Sequence, residues 1–238
     1  MVAHALIPHA SPTQDQREAE IDGPERPTTW ADVLAMPEDT GQRQEIIAGE
    51  LSVAPSPAID HQLLVAEVTA RLSAHVRSHR LGIVFGTAVD VKASEYDVVV
   101  PDLLFVRAER RAIIRPGAQT IDEPPDLVME VISPGSGRRD RVQKLAFYAR
   151  FGVAEYWLVD PIGRTWETFA LEGGVYRAVP PEGTIHRSRV VDAFTIDAAE
   201  VFAVLDEDDE SGVEAVAPRE AAADSVPDEV APDTGDAT

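Results

Sequence analysis

At 238 residues the chain is long enough for one sizeable core with tails, and 44% apolar with 26% charged residues is ordinary for a globular domain. The net charge of −21 is uneven: residues 206–238 carry twelve acids against one base, residues 1–27 carry −3, and residues 28–205 only −7. The absence of cysteine excludes a disulfide scaffold, a thiolate zinc site, an iron–sulfur cluster and a cysteine nucleophile. No run of 18 apolar residues exists to span a membrane and residues 1–27 lack an apolar signal core, so a cytoplasmic protein with no membrane partner is expected.

Residues 1–27, charged and bearing prolines, read as a flexible N-terminal segment. Thr28-Thr29 ahead of Trp30 predicts a short helix with a threonine cap, stopped by Pro37. Segments 44–47 and 51–54, joined by Ala48-Gly49-Glu50, predict a hairpin that Pro55-Ser56-Pro57 ends. From Asp60 to about His79, Leu63, Leu64, Val68, Leu72 and Val76 recur at helical spacing. Extended segments follow at 83–85, 88–91, 98–100 and 103–106, and then at 126–132, an apolar strand carrying one charge, Glu130. Residues 133–137, Ser-Pro-Gly-Ser-Gly, form a loop. A second helix runs from about Asp140 to Phe151 and ends at Gly152. A strand at 155–159, a hairpin at 165–171 and 175–179, and a short helix near 197–203 complete the domain. The Ala, Pro, Asp and Glu of residues 206–238 cannot bury a core, so a disordered acidic tail is expected. The order helix, strands, helix, strands predicts an α/β or α+β domain over 28–205 with helices flanking a mixed sheet.

Two acids fall where burial is expected. Asp102 lies between Val98-Val99-Val100-Pro101 and Leu103-Leu104-Phe105, and Glu130 lies inside Leu127-Val128-Met129 and Val131-Ile132. An ionised carboxylate in such a setting is costly unless it is paired or bound to a metal. Singly, each reads more readily as a solvated strand end or an arginine partner; together they point to a shared cation. Oxygen ligands favour Mg2+ or Mn2+ over zinc. Of 21 basic residues only Lys92 and Lys144 are lysines, so a lysine kept in an arginine-rich chain suggests a need for a compact ammonium. Asp140, Lys144 and Tyr148 share one helix face at i, i+4, i+8, with Val142, Leu145 and Ala146 opposite them toward the core. Lys144 fits an ion pair with Asp140 on a solvated face equally well; lysine scarcity tips it toward the site. Arg138, Arg139 and Arg141 at the helix start, and Arg107, Arg110, Arg111 and Arg115 after the strand that Asp102 opens, flank the acids as candidate phosphate contacts. Tyr156 and Trp157 read as core or dimer-interface residues, which leaves a homodimer open.

The ordered series of Gln44-Glu45-Ile46-Ile47-Ala48-Gly49-Glu50-Leu51, Ser56-Pro57 with His61, Pro101-Asp102, Glu130-Val131-Ile132-Ser133-Pro134, Asp140 and Lys144 with Tyr148, Gly152-Val153, and Glu155-Tyr156-Trp157-Leu158-Val159-Asp160-Pro161 resembles the Uma-two-type restriction endonuclease family. That family belongs to the PD-(D/E)XK nuclease superfamily. The resemblance implies a restriction-endonuclease-like core, a central mixed sheet flanked by helices, and a metal-dependent endonuclease that cleaves DNA phosphodiesters. It implies Asp102 and Glu130 as ligands of Mg2+ or Mn2+, with the Val131 carbonyl as a further ligand and Lys144 as the third catalytic residue. Glu45 and His61 are second-tier candidates for ligand or proton-transfer roles, with Asp140 and Tyr148 supporting. Arg138, Arg139 and Arg141 read by their charge as candidate DNA-phosphate contacts or as a solvated loop. The superfamily's acid-x-Lys pattern would place a lysine at position 132, where this chain has Ile132. The resemblance implies that Lys144, one helix on, supplies it. The alternatives are a nuclease-like fold kept as a binding or regulatory module with little turnover, or a hydrolase of another phosphoester. Convergence of Asp102, Glu130 and Lys144 is the feature that separates an enzyme from the module.

Overall fold

The computed structural model describes residues 26–36, 43–54, 56–86, 88–133 and 138–206, without the side chains of 138–141. The readings of residues 1–25 and 207–238, and of the side chains of Arg138, Arg139, Asp140 and Arg141, therefore lie outside the described residues. Helix α1 (Trp30–Leu34) opens on the expected cap: Thr29 Oγ1 accepts the Asp32 N–H at 3.2 Å while the Asp32 carboxylate accepts the Thr29 N–H at 2.9 Å. Strands β1 (Arg43–Ile47) and β2 (Glu50–Ala54) form the first hairpin, turned by Ala48 and Gly49 at φ 53° and 78°. Helix α2 (Ile59–His79) leads to β3 (Gly82–Phe85), β4 (Asp90–Ser94), β5 (Asp97–Val99) and β6 (Leu103–Arg107). A 3-10 turn (Ala108–Ile113), β7 (Thr120–Ile121), β8 (Leu127–Val131), α3 (Arg138–Phe151), β9 (Glu155–Asp160), β10 (Thr165–Glu172), β11 (Val175–Ala178), β12 (Ile185–Arg187), β13 (Thr195–Asp197) and α4 (Ala198–Ala203) follow.

The central sheet is mixed and six-stranded, in the order β11-β10-β9-β8-β6-β3. Its one parallel pair, β8 with β9, is joined by α3, as a parallel connection requires a crossover. A second sheet, β2-β1-β5-β4-β7, gathers the first hairpin with the next strands, and β12 pairs with β13 alone. The strand expected at 88–91 begins at Asp90 and runs to Ser94. It turns tightly into β5, where Ser94 and Asp97 pair across the register shift.

Period-two alternation sorts the central sheet's residues onto its two faces. Leu103, Phe105, Leu127, Met129, Trp157 and Val159 pack with α2 and α4, whereas Leu104, Val106, Val128, Tyr156 and Leu158 pack with Phe147 and Tyr148 of α3 and with Val91 and Val99 of the second sheet. Tyr156 and Trp157 are thus buried on opposite faces within the chain itself. Two expected helix faces need correction. On α2 the inward stripe is His61, Leu64, Val65, Val68, Leu72 and Val76, and Leu63 is exposed. On α3 Val142 and Ala146 point to solvent while Phe147 and Tyr148 are buried. Two aromatic rings remove far more apolar area from water than a valine and an alanine, so they set the rotation of the helix. The face carrying Lys144 is consequently the inward one.

Candidate active site

The chain leaves the second sheet at Val99 and enters the central sheet at Leu103, so Val100-Pro101-Asp102 crosses between them. Proline cannot donate to a ladder, which ends β5 here. The crossing strands the N–H and C=O of Val100, and each must find a partner. Glu45 Oε1 accepts the Val100 N–H at 2.9 Å, and Arg43 Nη1 donates to the Val100 carbonyl at 3.2 Å. Arg43 and Glu45 are two apart on β1 and share one face, so one strand supplies both.

Asp102 therefore sits at the seam of the two sheets. The register Leu103↔Met129 places it opposite Glu130, and alternation turns both toward α3. Asp102 Oδ2 accepts the Val131 N–H at 2.7 Å and pairs with His61 Nε2 at 3.1 Å. Its Oδ1 accepts from Arg43 Nη1 at 2.5 Å. Glu130 is held from α3: Lys144 Nζ donates to Oε2 at 2.9 Å and the Tyr148 hydroxyl to Oε1 at 2.6 Å. Lys144 Nζ also donates to Glu45 Oε1 at 2.8 Å, bridging the two glutamates. His61 is the first member of α2's inward stripe, and its Nδ1 is buried with no hydrogen-bond partner among the described residues.

The structure thus brings Glu45, His61, Asp102, Glu130, Lys144 and Tyr148 into one buried cluster. It adds Arg43, which the sequence reading missed; the Arg-x-Glu spacing on one strand face was the available signal. Of the two readings of Lys144, the one toward the site holds: α3 turns it inward onto Glu45 and Glu130 rather than onto a solvated face. The second group of arginines is not beside the acids. Arg107 ends β6, five extended residues or about 16 Å from Asp102. Arg110 binds Asp126 and the Pro124 carbonyl there, and Arg115 pairs with Asp122.

The electrostatics follow from burial and neighbours. Burial pushes Glu130 up and, with repulsion from Asp102 and Glu45, outweighs Lys144 and Tyr148, leaving it at about 7. Burial also works to raise Asp102, but His61, Arg43 and the Val131 N–H overcome it and hold the group at about 2. Burial disfavours the charges of Lys144 and Arg43, yet Glu130 and Glu45 for the first, and Asp102 for the second, more than reverse it and raise both. Tyr148 is pushed up by burial and by the carboxylate it serves, so it remains a donor. With Glu130 ionised, three carboxylates face two permanent cations and the set is one positive charge short, which is the charge that a proton on Glu130 supplies.

That shortage and the all-oxygen donor set fit a hard divalent cation in chemistry. The resting geometry does not present one with open ligands. Each oxygen of Asp102 and Glu130 already accepts a hydrogen bond, and among the described residues no three His, Asp or Glu side chains converge as a ligand set.

A mixed sheet with a buried acid–lysine cluster at its seam defines the fold class, and comparison with known proteins agrees. A solved structure described as "a putative nuclease belonging to DUF820" from Anabaena variabilis superposes with a TM-score of 0.63 at 20% identity, over 75% of this chain and 99% of that one. The likeness shows the fold. No curated protein matches the chain. The family model of Uma2, described as "Putative restriction endonuclease", matches residues 30–199. The chain belongs to the Uma2 family.

Proposed function

We propose that this protein is an endonuclease that hydrolyses phosphodiester bonds of DNA at the cluster of Asp102, Glu130 and Lys144, with Mg2+ or Mn2+ as cofactor. The observation that carries the reading is Lys144. With Ile132 in the position of the superfamily lysine, α3 brings the one buried ammonium of the cluster onto Glu130 and Glu45, beside Asp102. The family's description and the neighbour's title both name a nuclease.

Asp102 and Glu130 would hold the cation, which when bound supplies a water of lowered pKa and neutralises charge on the phosphoryl oxygens. The protein's own groups do the rest. Lys144, fixed between two carboxylates, presents its remaining Nζ proton to a phosphoryl oxygen as negative charge develops there. Tyr148 and Glu45 fix Glu130 and Lys144 in place. His61, with Nε2 committed to Asp102, keeps Nδ1 as the group able to take or pass a proton. Arg138, Arg139 and Arg141, at the start of α3, are the candidates for backbone phosphates.

One observation favours the second reading, a binding or regulatory module of low turnover: every oxygen of Asp102 and Glu130 is already engaged. A plasmid-nicking assay separates the two. With Mn2+ or Mg2+ the parent nicks supercoiled DNA, EDTA stops it, and Lys144→Ala slows it by about 100-fold or more. Binding of DNA in a mobility-shift assay without metal-dependent nicking would establish the module instead.

A further inference from the structure

We propose that Arg43 is a built-in competitor for the cation: it occupies the one oxygen of Asp102 that can turn to a metal, and binding of the ion releases its guanidinium to a substrate phosphate. The proposal rests on the metal-dependent reading above.

The two oxygens of Asp102 are not equivalent. Oδ2 is fixed from two directions, by the Val131 N–H at 2.7 Å and by His61 at 3.1 Å. Among the described residues Oδ1 carries only the bond from Arg43 Nη1, at 2.5 Å. Hard cations sit 2.0–2.6 Å from such oxygens, so an ion on Oδ1 would fall on the Arg43 donor hydrogen. Guanidinium and divalent ion repel each other, and they exclude one another from this oxygen.

Exchange of the two also balances charge. With Arg43 in place and Glu130 deprotonated, as ligation of a cation requires, Glu45, Asp102 and Glu130 face Arg43 and Lys144, and one negative charge is left over in a buried cluster. With a divalent ion in its stead the same carboxylates and Lys144 are neutral as a set. Burial favours the exchange, because an uncompensated charge is costly there.

Arg43 is built to leave where Lys144 is not. Among the described residues its only other hydrogen bond is to the Val100 carbonyl at 3.2 Å, and its side chain is 26% exposed beside an Asp102 that is 2% exposed. Lys144 bridges two buried carboxylates at 2.8 and 2.9 Å. A released guanidinium on the solvent side of the cluster has the fork geometry that grips phosphate oxygens in pairs. The cation would thereby prepare both the reaction centre and a substrate clamp.

Calorimetric titration of the full chain with MnCl2 tests this. Arg43→Gln, with its fold checked by circular dichroism, is expected to bind Mn2+ about tenfold or more tightly than the parent, within the usual size of such couplings. Arg43→Lys, which keeps a cation but loses the fork, is expected to lie between, and it carries the test if the glutamine variant does not fold. Parent binding that neither variant improves would overturn the role of Arg43 and leave the metal reading standing. No Mn2+ binding by any of the three proteins would overturn the metal reading, and this inference with it.

Discussion

Glu130 is the most informative single residue because its surroundings pull it in both directions. Burial is the largest influence and the folded protein holds its carboxyl at about 7, above an ordinary value of 4.5. The folded state therefore binds the proton more tightly than the unfolded chain does, and stability is lost as the pH rises from 4.5 through about 7. Chemical denaturation in EDTA should show that decline, and Glu130→Gln should make it shallower, the remainder coming from Glu155 and Asp90, which burial also raises. Asp102 does not blur the window, since its stabilising contribution is lost only as the pH falls below 3.8 toward about 2. A profile for Glu130→Gln as steep as the parent's would show that another group titrates there. The residues of this cluster differed in legibility. Asp102 and Glu130 stood out as charges within apolar runs, and Lys144 by the scarcity of lysine. Arg43 was one arginine among many, and its role comes from the Val100 carbonyl that a sheet crossing leaves unpaired.

At the scale of elements, a further buried carboxylate outside the site, Glu155, secures the central sheet. Glu155 opens β9 and accepts the Trp157 indole N–H at 2.6 Å, the Arg189 N–H at 2.6 Å, the Val190 N–H at 3.1 Å and the Ser188 hydroxyl at 3.2 Å. It ties the 188–190 loop to the central sheet, and burial raises its pKa against those donors. Glu155→Ala strands several buried donors at once and should cost about 3 kcal/mol or more in urea denaturation. A loss below about 0.5 kcal/mol, typical of a surface change, would contradict that role. The principal helices and the strands of the central sheet were legible from periodicity and turn residues, and in the second sheet β4 was displaced by two residues. Three things were not. Strands β7, β12 and β13 are two or three residues long, too short for a pattern to register. The second sheet brings residues 43–54 beside residues 90–99, a pairing set by tertiary contacts. The rotation of α3 was misread because Val142 and Ala146 suggested a core face that Phe147 and Tyr148 take instead.

For the whole molecule, the seam between the sheets gives the site its character. The crossing before β6 contributes Asp102, β8 and α3 contribute Glu130, Lys144 and Tyr148, β1 reaches across from the second sheet, and α2 adds His61 from one end. Five separate stretches of chain thus converge where the backbone itself must change sheets, which is why one cluster satisfies both the fold and the proposed chemistry. The charge of the chain bears on the partner. The acidic excess concentrates in residues 206–238, while residues 28–205 carry only −7, so the domain repels DNA far less than −21 suggests. Removing residues 207–238 should leave the melting temperature within about 2 °C of the parent in a calorimetric scan, because that composition cannot support a core. The most direct measurement of the central claim is the location of a bound cation. In crystals of the full chain soaked in MnCl2, an anomalous-scattering peak is predicted within ligand distance of both Asp102 and Glu130, with Arg43 swung off Oδ1. Well-ordered Mn2+ bound elsewhere, or an Asp102–Arg43 pair unchanged with no peak beside it, would contradict the account.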